Sequence, residues 1–97
     1  MSNFELKKVA DGRYSLHGEM SFDNAERILA ASEQAFQAID ALELDLSQVG
    51  QADSAGLALL LEWKARAHER AAEIRFVGIP ESLLAIAQTA EVSDLIR

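Results

Sequence analysis

The spacing of apolar residues changes period along this chain, from steps of two to steps of three and four and back again, and few architectures accommodate that alternation. Phe4, Leu6 and Val9 precede Asp11-Gly12, after which Tyr14, Leu16 and Gly18 alternate with Arg13, Ser15 and His17. This predicts a hairpin, because Asp-Gly supplies the positive φ angles of a tight turn and the alternation sets one face of the second strand on a core. From Asp23 onward Ala25, Ile28, Leu29, Ser32, Phe36 and Ile39 recur at helical spacing, with Ser21 or Asp23 as the expected cap and Glu26 completing a capping-box pattern with Asp23. Leu42, Leu44 and Leu46 alternate with Glu43 and Asp45, then Val49 leads into a short loop at Gly50-Gln51-Ala52.

A second helix is expected from Ser54, its N-cap, through Leu57, Leu60, Leu61, Ala67 and Ala71, with Glu62 placed to support Arg66 on the exposed side. Ile74, Phe76 and Val77 form a further strand ending at Gly78. Pro80 opens a third helix carrying Leu83, Leu84, Ile86 and Ala87, and the tail from Val92 to Ile96 has no decisive pattern. Strands alternating with helices imply parallel pairing, and the initial hairpin adds an antiparallel part. The expected fold class is therefore α/β, one mixed sheet with helices mainly on one face, formed by residues 1–97 as a single domain.

Composition excludes several functions. There are no cysteines, so thiolate metal sites and disulfides are absent, and His17 and His68 lack zinc-ligand spacing and read as surface or boundary residues. The formal charge of -7 opposes phosphate backbones and anionic membranes, which makes nucleic acid an unfavourable partner. No glycine-rich phosphate loop is present, and the carboxylates are dispersed along helix exteriors and strand faces, so no catalytic residues, cofactor or metal are expected. The start, with Glu5, Lys7 and Lys8, does not resemble a secretory signal. The apolar run from Ala55 to Leu61 falls far short of the about 20 residues that span a bilayer. A cytoplasmic protein without direct membrane insertion is the expectation.

Residues Leu44 to Leu61 read LDLSQVGQADSAGLALLL. A strand ending in Asp-Leu-Ser, a short loop, and Asp-Ser-Ala-Gly-Leu opening a Leu-rich helix resemble the STAS domain family, named for sulfate transporters and anti-sigma factor antagonists. The residue-level match covers about a fifth of the chain, and the order of elements extends it over nearly all the rest. Within that family the chain is most similar to the small STAS subunits of ABC systems that move phospholipid between the two membranes of Gram-negative bacteria. There Asp-Thr stands where Asp53-Ser54 stands here, and Gly56 to Leu61 matches directly. This similarity implies a non-catalytic accessory subunit, peripheral to the inner membrane, whose partner is the ABC transporter ATPase. The alternative partner is an anti-sigma factor kinase. In anti-sigma antagonists of this type the second hydroxyl position after the Asp is phosphorylated, and here it is Ala55, which leaves Ser54 as the phosphorylation candidate.

The residues singled out for partner binding or regulation are Asp53, Ser54, Ala55, Gly56 and Leu59. Each has a plainer explanation. Asp53-Ser54 can serve as a helix cap, and Gly56 can simply make room for packed strand ends. Leu59 and Trp63, four apart, read as core, whereas an exposed Leu59 would join Ser54 and Ala55 in an apolar patch of the kind that marks an interface.

Overall fold

A computed structural model describes residues 3–97. The elements run β1 (Phe4–Ala10), β2 (Arg13–Met20), α1 (Ala25–Phe36), β3 (Ala41–Ala52), α2 (Ser54–Glu69), β4 (Glu73–Val77), α3 (Glu81–Thr89) and α4 (Ser93–Ile96). The four strands form one sheet in the order β1-β2-β3-β4, with β1 antiparallel to β2 and the other two pairings parallel. The mixed sheet expected from the alternating periods is present. Its parallel pairings follow from α1 and α2 carrying the chain back to the starting edge between strands.

One face of the sheet holds the core. Leu16, Met20, Leu42, Leu44, Leu46, Ile74 and Phe76 pack beneath Ile28 and Phe36 of α1, Leu57, Leu60 and Trp63 of α2, and Leu83 and Ala87 of α3. Tyr14, Phe36, Trp63 and Phe76 form a row with ring centroids 5.3, 5.9 and 6.2 Å apart, the first two pairs edge-to-face, which suits the aromatic quadrupole, and the last tilted. Trp63 Nε1 donates to Ser32 Oγ at 2.8 Å, and Ser32 in turn donates to Leu29 O at 2.7 Å, so both buried polar groups are satisfied. The opposite face is polar. Arg13 and Arg75 flank Glu43 across three strands, and Ser15 Oγ lies 2.9 Å from His17 Nε2.

Several local details depart from the sequence-based expectation. In the turn between β1 and β2 Gly12 has positive φ (+74°) while Asp11 does not, and Val9 falls at a bulge between Lys8 and Ala10, which turns it to solvent. Gly50, Gln51 and Ala52 are strand rather than loop, because two register shifts let β3 keep pairing with β2 as far as Met20↔Ala52. The first shift also explains the three-residue step from Leu46 to Val49, since an extra residue returns Val49 to the core face.

Helix ends differ as well. Asn24, not Ser21 or Asp23, occupies the α1 cap position, and its buried side chain binds Ser21 N and Glu19 O at 3.0 and 2.8 Å instead of closing a capping box. Pro80 is the N-cap of α3, one residue earlier than expected. Ala71 lies past the end of α2, in a left-handed turn with φ 56°. The tail becomes α4, and Ile96 is fully buried among the helices.

Candidate functional site

At the junction between β3 and α2, Asp53 alone separates strand from helix. Asp53 is the N-cap. Its backbone is extended, and Oδ1 accepts a hydrogen bond from the Ala55 N–H at 2.8 Å. Ser54, expected to cap, is instead the first helical residue and is exposed. The other Asp53 oxygen, Oδ2, accepts from the Phe22 N–H at 3.3 Å, and the Asp53 N–H donates to Met20 O at 3.1 Å. One residue thus fastens the start of α2 to the loop between β2 and α1.

That loop presents a side chain which periodicity gave no reason to select. Phe22 is 75% exposed, the largest solvent exposure among the big apolar residues described, and it lies beside Ser54. The sequence pointed the other way: Phe22 continues the step of two of Tyr14, Leu16, Gly18 and Met20, a phase that on a strand faces the core, but β2 ends at Met20 and leaves the ring in the loop.

The other site candidates are enclosed. Ala55 and Gly56 are buried, and a β-carbon placed on Gly56 would lie 3.1 Å from Met20 Cβ and O and 3.2 Å from Leu83 Cδ2. Gly56 therefore lets α2 sit close against the end of β2 and against α3, which is the space-making role. Leu59 is 4% and Trp63 3% exposed, so both are core, and the surface patch imagined for an exposed Leu59 does not form. What reaches solvent is Ser54 at the helix tip, Ala58 one turn along, and Phe22 opposite them.

Together these border a groove between the first turns of α1 and α2, with Ala25, Ala55 and Ala58 on its walls and Glu26 and Glu62 on its rim. Chemically, the site offers an exposed aromatic ring, a hydroxyl at a helix N-terminus and a carboxylate already committed to two backbone amides. Among the described residues no cluster of His, Asp or Glu is arranged to hold a metal ion, and no helix is long and apolar enough to cross a membrane.

Comparison with known proteins agrees with this fold. The family model described as Mlab, STAS domain, matches residues 6–97. No curated protein matches the chain significantly. Among solved structures, the anti-sigma factor antagonist SpoIIAA in its unphosphorylated form aligns at TM-score 0.74 and 19% identity, over 98% of this chain and 86% of that one. The Bacillus cell fate determinant SpoIIAA in its phosphorylated form aligns at 0.69 and 16%, over 98% and 89%. At these identities the likeness is one of fold.

Proposed function

We propose that this chain, which belongs to the STAS domain family through the Mlab model that spans residues 6–97, is a non-catalytic accessory subunit that docks on an ABC transporter ATPase through the tip of α2. The observation that carries this reading is the pairing of Ser54 and Phe22 on one exposed surface, held in place by Asp53. A rigid apolar ring beside a small hydroxyl costs little to desolvate, and exposed aromatics of this kind anchor protein interfaces. In this view residues 1–97 act as one STAS domain on the cytoplasmic side of the inner membrane, held there by the ATPase of a phospholipid-transport system that maintains outer-membrane lipid asymmetry. Docking biases the ATPase toward its assembled state only if the chain binds that state more tightly than the free one.

Titration of the purified chain against the purified ATPase of such a system tests this. Wild type should bind, Ser54→Glu should bind at least tenfold more weakly while keeping its fold, and absence of wild-type binding would refute the proposal.

A second reading is favoured by the fold shared with SpoIIAA, that of an anti-sigma factor antagonist which captures a kinase. Ala55 occupies the position expected to carry the acceptor hydroxyl, and it is buried. Ser54 is the exposed alternative at a helix N-terminus, where backbone amides favour an anion. The Asp53 carboxylate already occupies the Ala55 amide and would repel a phosphate on its neighbour. Incubation with an anti-sigma kinase and ATP, followed by mass spectrometry of the peptide containing Ser54, decides between the two readings: modification there supports the antagonist, an unmodified peptide the transporter subunit.

A further inference from the structure

The groove between α1 and α2 is closed at one end and open at the other. At the closed end Arg66 Nη1 meets Glu33 Oε1 at 2.7 Å and the Trp63 indole reaches Ser32, which ties the helices together. Toward the helix N-termini Ala25 on α1 and Ala55 and Ala58 on α2 line the groove with Leu29 and Leu59 beside them, and the space between the helices is not filled by the chain's own side chains. Phe22 lines the open end. The floor is therefore apolar while the charges sit on the rim. Glu26 and Glu62 border the groove, and the cation lining it, Arg66, is engaged by Glu62 at 2.8 Å as well as by Glu33.

Resting on the docking function proposed above, we infer that this groove seats an amphipathic helix of the ATPase, with an apolar ridge laid against Phe22 and Ala58 and Lys or Arg side chains facing Glu26 and Glu62. Two helices separated by small residues leave a trough that a third helix fills through its own apolar stripe. Charge complementarity selects the flanking residues: an acidic rim on a chain of net charge -7 attracts a basic partner segment and rejects an acidic one. The Asp53 hydrogen bond to the Phe22 amide keeps the ring at the open end before the partner arrives, which lowers the ordering cost of binding.

The test is titration of the chain against the purified ATPase at low and at high sodium chloride, with circular dichroism and the emission of Trp63 confirming that each variant is folded. Phe22→Ala should weaken binding about tenfold, since an aromatic anchor is lost. Ala58→Lys should bind at least about threefold more weakly than Ala58→Glu at low salt, and that gap should close at high salt as the charges are screened. Wild-type binding with both Ala58 variants equal and Phe22→Ala unaffected would overturn the inference while leaving the docking function standing. Absence of wild-type binding would overturn both. Tighter binding by Ala58→Lys than by Ala58→Glu would show that the partner segment is acidic and would also overturn it.

Discussion

Asp53 accepts the backbone N–H of Phe22, thirty-one residues earlier in the chain, through Oδ2 at 3.3 Å while its Oδ1 caps α2. Removing the carboxylate undoes both contacts together. Asp53→Ala should lower stability by about 1–2 kcal/mol, as expected for a lost N-cap, whereas Asp53→Asn, which keeps an acceptor for the Ala55 amide, should lose less. Thermal unfolding followed by circular dichroism checks this. Equal losses in the two variants would mean that the charge of the carboxylate, and not its role as an acceptor, carries the effect.

Leu59 should behave as a core residue when truncated. With 4% exposure beside Trp63, Leu59→Ala is expected to cost about 2–5 kcal/mol in urea unfolding, while Ser54→Glu, at an exposed position, should stay within about 0.5 kcal/mol. Loss of partner binding on Leu59→Ala would then reflect unfolding rather than a lost contact. A stable Leu59→Ala protein would contradict the packing described.

Two helix ends are closed by residues ill suited to the backbone they adopt. Ala71 and Glu91 have φ of 56° and 62°, and in both turns the amide one residue later reaches back to an earlier carbonyl, Ala72 N to Ala67 O at 2.8 Å and Val92 N to Ala87 O at 2.9 Å. These are Schellman closures, in which glycine usually occupies the left-handed position. Ala71→Gly and Glu91→Gly should each stabilise the chain by about 0.5–1 kcal/mol, read as a rise in melting temperature, because relief of the left-handed strain outweighs glycine's extra chain entropy. A fall in melting temperature would contradict it.

Acid should weaken the fold through the open face of the sheet. The Ser47 backbone N–H, donating to Asp45 Oδ1 at 2.8 Å, is the main cause holding the Asp45 carboxyl below its ordinary 3.8, with the Ser47 hydroxyl adding to it. The hydrogen bond from Arg75 leads in holding Glu43 below 4.5, followed by the charges of Arg75 and Arg13. Carboxyls with lowered native pKa stabilise the folded state fully above their unfolded values. That contribution is lost as pH falls through the unfolded values towards the native ones. Urea midpoints should therefore decline from about pH 5 downward. Asp45→Asn should flatten the decline in any salt, and Glu43→Gln should flatten it mainly at low ionic strength, since exposed ion pairs are screened. An unchanged slope in Asp45→Asn would rule out this source.

The legible part of the fold was the part written in periodicity. Leu42, Leu44 and Leu46 at steps of two, and Ile28, Ser32 and Phe36 at steps of four, announce their elements because each face must be buried. The details that escaped depend on contacts distant in sequence. β3 reaches Ala52 only because β2 offers partners as far as Met20, and Ile96 is core only because the helices meet around it. Capping fell to Asp53 rather than Ser54 because the strand runs straight into the helix, which leaves one residue with extended backbone to serve. Of the site, the Asp53-Ser54 tip was legible from a motif. Phe22 was not, since it stays in step with Tyr14, Leu16 and Met20 although the strand ends before it.

Hydrogen–deuterium exchange of the chain with and without the ATPase reads the docking surface directly. Exchange should slow in residues 21–29 and 53–62, the loop bearing Phe22 and the facing turns of the two helices, with β1 and β4 unchanged. Protection confined to the polar face of the sheet, or absent from both helices, would contradict it.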